Sequence, residues 1–121
     1  RLFIIVNMNI NLEWHIISND PLSIQWPENN MLEFEVAGKQ IALAKWNDQY
    51  WAFNAKCPHA NGRMAQGYIN NQGYVICPLH HYSFSIKNGR NPSLEGILMK
   101  TYPVEVRKEG IFVGFKPISS L

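Results

Sequence analysis

The chain has 121 residues, 46% of them hydrophobic and 17% charged, and eleven basic against nine acidic side chains give a formal net charge of +2. That length and composition fit one domain with its own core. So small an excess of cations argues against a nucleic-acid partner held by charge, and no apolar run is long enough to make a membrane helix.

Residues 1–6 are apolar after Arg1 but too short to span a bilayer, and they carry no signal-peptide cleavage site. The first residue is not methionine, so Met8 is expected to mark the natural start, with a processed tail as the alternative. Residues 1–13 are read as an N-terminal extension. Residues 14–17 (WHII) predict a first strand, in which His15 is expected to pack and not to bind metal. Pro21 and Pro27 bracket an irregular stretch containing Trp26.

A hairpin follows. Residues 31–36 alternate apolar and polar, Ala37 and Gly38 turn, and residues 39–45 return. After a turn at 46–49, residues 50–54 form a third strand that leads into Cys57. Short strands with turn signals at this spacing predict an antiparallel all-β domain. Trp46, Tyr50, Trp51 and Phe53 are read as packing residues, because no basic patch accompanies them as in a base-stacking platform.

The next stretch carries the chemistry. Cys57-Pro58-His59 is C-x-H, and Cys77-Pro78-Leu79-His80 is C-x-x-H, with seventeen residues between His59 and Cys77. Each loop offers one thiolate and one imidazole. Residues 67–76 can form a strand pair that sets the loops side by side. Pro58 and Pro78 fix φ after each cysteine, Asn61-Gly62 can supply a positive φ, and Gly67 marks a bend. Thiolate with imidazole suits zinc or an iron–sulfur cluster. Zinc sites usually pair cysteine with cysteine and histidine with histidine in each knuckle. Mixed loops suit a two-iron cluster with both cysteines on one iron and both histidines on the other.

Residues 87–90 read as a hairpin turn and 91–96 as a loop. Strands are predicted over 97–102, interrupted by Pro103, then over 104–107 and 111–115, with a turn at 108–110. The tail, 116–121, is expected to be loosely ordered.

On Cys57, His59, Cys77 and His80, with Pro58, Gly67, Pro78 and Phe84 around them, the chain resembles the Rieske [2Fe-2S] proteins of the small soluble ferredoxin type over residues 14–115. The resemblance implies an all-β, antiparallel sandwich or barrel with a cluster-binding subdomain at about 55–85, inserted after Phe53 and closing near Phe84. Cys57 and Cys77 would hold the inner iron, and His59 and His80 the outer iron at the loop tips. Phe84 would be the buried aromatic beneath the cluster. Tyr82 would shield the cluster or donate to a sulfur, or simply pack. The 91–96 loop would cover the third side, and Leu79, His81 and Met64 would form a docking rim.

High-potential members have an extra cysteine in each loop, joined as a disulfide; the corresponding positions here are Gly62 and Leu79. They also carry a serine soon after the last histidine. Here His81 takes the usual glycine position and Ser83 is displaced. Two histidine ligands make the oxidised site neutral where four thiolates would leave it anionic, which places the class at about −150 to +300 mV. The low end of that range is expected for this chain. Reduction is expected to take up a proton at alkaline pH, because ferric iron acidifies the remote ring N–H.

The resemblance thus implies a cytoplasmic one-electron carrier with reductase and oxygenase partners, and no nucleic acid or membrane. It is an electron-transfer component and not a catalyst by itself. Without the four ligands only His15 and His81 remain, too few for the mononuclear iron of an oxygenase. Two alternatives stand beside this reading: the small subunit of an NAD(P)H nitrite reductase, and a zinc-binding or cluster-free interaction module.

Overall fold

The computed structural model describes residues 11–93 and 96–117. The expectations for residues 1–6 and Met8, for Leu94 and Glu95, and for the tail beyond 117 lie outside the described residues.

Ten strands follow in order: β1 (Glu13–Ser18), β2 (Met31–Val36), β3 (Lys39–Trp46), β4 (Gln49–Asn54), β5 (Tyr68–Ile69), β6 (Tyr74–Ile76), β7 (Ser83–Ser85), β8 (Thr101–Tyr102), β9 (Val104–Arg107) and β10 (Gly110–Phe115). Short 3-10 turns occupy Pro21–Ser23 and Met64–Gln66. The strands form three antiparallel sheets, ordered β1-β10-β9, β2-β3-β4-β8 and β5-β6-β7. Among the described residues no sheet closes on itself. The fold is therefore the open alternative of the sandwich and barrel expected.

The turns explain the registers. Ala37 and Gly38 both have positive φ, as do Asn47 and Asp48. Two-residue turns of that hand match the twist of the strands they join, and they fix β2 on β3 and β3 on β4 without slippage.

The four-stranded sheet is the wall between two cores. Its residues Ile41, Leu43 and Ala52 pack with Ile111, Val113 and Phe115 of the β1-β10-β9 sheet. On the opposite face, Ala42, Ala44 and Phe53 pack with Met64, Val75, Phe84, Cys57 and Cys77. Hence Ile41 to Ala44 are buried without a break and show no alternation. A strand covered on both faces has no solvent side on which to place polar residues. The small side chains of Ala42 and Ala44 leave room for the third sheet beneath the ligand loops.

The strand expected over 97–102 is only Thr101–Tyr102. Upstream, Leu98 bridges Arg90 and the Met99 amide donates to the Gly89 carbonyl at 2.9 Å, so this stretch is tied to the 87–90 turn instead. Pro103 sits where the chain leaves the edge of the wall for β9, the edge of the β1-β10-β9 sheet. With fixed φ and no N–H, proline suits such a crossing. Its carbonyl accepts from the Gly114 amide at 3.0 Å.

Candidate metal centre

Both ligand loops are built alike. Lys56 bridges Arg63 across the first, and Ile76 pairs with Ser83 across the second. Inside each bridge the cysteine amide donates to the carbonyl five residues on, Cys57 to Gly62 and Cys77 to Tyr82, both at 2.9 Å. The two loops are thus the same hairpin end used twice, and each projects a cysteine at its base.

Cys57 and Cys77 are buried, 2% and 0% exposed, and free. They are neighbours in the core beneath the loops. Burial pushes the Cys77 thiol above its ordinary pKa, the Leu79 amide donating to the sulfur pulls it back, and the neighbouring Cys57 raises it again. A bound cation reverses this balance and holds the thiolates.

His59 and His80 are exposed at the loop tips, with ring centroids 6.4 Å apart. Two imidazoles on one tetrahedral metal, with bonds of about 2.0–2.1 Å, bring their ring centres to roughly 5 Å. Exposed side chains close that difference by rotation. Among the described residues, no three of His, Cys, Asp and Glu converge as a single ion requires. The donors fall instead into one buried thiol pair and one exposed imidazole pair. That division is the one a two-iron cluster with unlike irons would use.

Gly62 shapes the cradle. A Cβ there would come within 2.7 Å of Cys77 Sγ and 3.2 Å of Leu79 Cβ. Residue 62 therefore faces residue 79 across the loops, and it is small because of the sulfur. The positive φ expected at Asn61-Gly62 is not found; the left-handed residues lie in the other loop, His80 at φ 75° and His81 at φ 60°. That geometry explains why a glycine suits position 81.

Phe84 is fully buried in the core that contains both cysteines, as expected. Tyr82 lies against His59, ring centroids 3.8 Å apart, and neither its hydroxyl nor that of Ser83 donates to a cysteine sulfur. Met64 is 0% exposed and cannot belong to a docking rim. Its side chain fills the core beneath the loops because the 3-10 turn faces it inward. Leu79, 42% exposed, and His81 remain at the surface. His15 packs on Phe115 at 5.2 Å and lies on β1, away from the loops.

Several supports had no sequence signal. Asn29 donates to the carbonyls of Ala65 and Gly67 at 2.8 and 2.9 Å, and Arg63 makes a two-bond ion pair with Glu33. Both fasten the first loop's exit to the wall from residues thirty or more positions away. Asn91, buried, donates to the Ser83 carbonyl at 2.7 Å and pins the second loop's exit.

Residues 18–103 match the model of the Rieske [2Fe-2S] domain. The chain belongs to the Rieske [2Fe-2S] domain family. The 3-phenylpropionate/cinnamic acid dioxygenase ferredoxin subunit of Shigella boydii is 35% identical over 88 residues, 72% of this chain and 82% of that protein. The fold is that of the ferredoxin of carbazole 1,9a-dioxygenase from Nocardioides aromaticivorans, with a TM-score of 0.66 and 23% identity over 82% of this chain and 93% of that one. A nitrite reductase (NADPH) small-subunit protein gives a TM-score of 0.70 at 20% identity, covering 84% and 98%. As a Rieske protein of ferredoxin type, the chain is an electron carrier whose cofactor is the Rieske [2Fe-2S] cluster. Among the described residues, no helix is long and apolar enough to cross a membrane.

Proposed function

We propose that this Rieske ferredoxin passes single electrons from a reductase to an oxygenase. Cys57 and Cys77 bind one iron, and His59 and His80 bind the other. The observation that carries the assignment is the division of the donors into two neighbouring buried thiols and two exposed imidazoles. The bound cluster supplies a reversible one-electron couple. The chain's part is to hold it in a dry core below and to leave the imidazole edges open to a partner above. The cluster-binding subdomain is residues 55–85, set into a domain spanning 14–115. A ferredoxin–oxygenase complex is known for a carbazole 1,9a-dioxygenase of similar fold, and the 35% identical relative is a dioxygenase subunit; both support an oxygenase as acceptor. Two free, neighbouring cysteines suit a reducing compartment, which supports a cytoplasmic location.

The test is low-temperature EPR of the dithionite-reduced protein with iron and acid-labile sulfide assays. A rhombic signal with about two irons and two sulfides per chain is expected; Cys77→Ser or His80→Ala abolishes it. About one zinc per chain and no signal would replace this reading with the structural module. Gly62 and Leu79 stand where high-potential members carry the extra cysteines, so a redox titration is expected to place the potential near the low end of the class, about −150 mV.

The nitrite reductase small subunit is the second reading, favoured by the fold match that spans 98% of that protein. Stable co-purification with a large catalytic subunit would select it over a free carrier.

A further inference from the structure

The two imidazoles at the loop tips are not held alike. His80 and His81, both left-handed, turn the second loop back towards β7. His59 has no such device. It is exposed, and among the described residues positions 58–61 make no backbone hydrogen bond, so the first loop is tied only at its base. What meets the His59 ring comes from the other loop. Tyr82 lies with its ring centroid 3.8 Å from that of His59, the planes 42° apart. Most aromatic pairs sit at about 4.5–7 Å, so this pair is closely overlapped. His80 stands 6.4 Å from both rings, turned 80° to His59 and 68° to Tyr82, so it meets them only by an edge.

Tyr82 is well placed to support an exposed ring. Its carbonyl accepts from the Cys77 amide at 2.9 Å, which closes the second loop at its base. Its side chain is half-buried and packs on the core that contains both cysteines. A side chain locked by packing in this way can hold a ligand in one orientation. Ligand histidines are commonly oriented by a hydrogen bond at the nitrogen away from the metal; here the support is a ring face. We propose that Tyr82 is a positioning residue for the cluster: from the second loop it fixes the orientation of the His59 ring on the first, while His80 is set independently of it. This rests on the reading that His59 and His80 hold one iron. A ring held in one orientation offers the same ligand geometry before and after the electron arrives.

The test uses the dithionite-reduced holoprotein. Absence of the rhombic EPR signal in the native chain removes the electron-carrier reading, and the proposal with it. With the signal present, pulsed ENDOR reads the couplings of the two ligand nitrogens separately. Tyr82→Leu is expected to shift or broaden one nitrogen coupling, to leave the other as in the native protein, and to speed iron release to a chelator about tenfold. Tyr82→Phe, which keeps the ring, returns both readouts to native values. Ile69→Ala, which trims a side chain packed on the same core from β5, leaves both couplings unchanged. If Tyr82→Leu takes up no cluster, Tyr82→Met is judged on the same couplings. Native couplings in the Leu or Met variant, equal shifts at both nitrogens, a Tyr82→Phe protein that behaves as Tyr82→Leu, or the same one-sided shift from Ile69→Ala would overturn the proposal.

Discussion

Two histidines in sequence adopt a backbone conformation that most side chains avoid. His80 and His81 both have φ in the left-handed region, where a residue with a Cβ is held at a cost of about 1 kcal/mol. His80 repays this by ligation in the proposed centre. His81 is exposed and makes no hydrogen bond that recovers it. His81→Gly is therefore expected to keep the cluster spectrum and to raise unfolding stability by about 0.5–1 kcal/mol, read by chemical denaturation of the holoprotein. Gly62→Ala is expected to act in the opposite sense. Its Cβ meets the Cys77 sulfur, against rigid neighbours on both loops. Iron and sulfide content should fall well below two per chain, and a fully loaded Gly62→Ala protein would show that the loops yield more easily than their hydrogen bonds imply.

At the scale of elements, one of the two shortest strands has a specific role. β8 has two residues, yet Tyr102 on it ties this edge of the wall to the end of β4 by donating to Asn54 Oδ1 at 2.6 Å. Burial raises the Tyr102 pKa above its ordinary value near 10. The sign follows from linkage. The folded state favours the protonated phenol, so its contribution is complete below about pH 10 and is lost as pH rises through the folded value. Tyr102→Phe is expected to lose about 1 kcal/mol at neutral pH with the hydrogen bond. It should also lose part of the alkaline decline. Denaturation midpoints followed from pH 7 to 11 check both, and parallel profiles for the two proteins would refute the assignment. Pro103, next in the chain, was legible as an interruption. That it marks a change of sheet was not, since a proline reports a broken ladder without saying where the chain goes next.

For the whole molecule, what could be read from sequence is what repeats at short range. The hairpin turns, the strand order along the chain and the two mixed ligand loops all lie within a few residues of their causes. What was hidden depends on the third dimension. Met64 reads as a loop residue and is core, because a one-turn helix rotates it inward. Ile41 to Ala44 read as one side of a hairpin and turn out to be covered on both. Asn29, Glu33 and Asn91 secure the ligand loops from positions that carry no motif. That the donors gather as a buried thiol pair and an exposed imidazole pair was likewise visible only in three dimensions.

The wall between the two cores has a further consequence, concerning the order in which the protein is made. The core toward β1-β10-β9 contains no metal ligand, while the core on the other side includes both cysteines. The first can therefore close before iron arrives, and the second cannot finish without it. Stripped of iron, the protein is expected to keep slow amide exchange in β1, β3 and β10 while β5, β6 and β7 exchange fast. Equal loosening on both sides of the wall would show that the halves stand or fall together. If they separate, the chain waits for its cofactor as a built frame with one unfinished end, and a cellular shortage of iron yields a reservoir of recoverable protein instead of an unfolded chain.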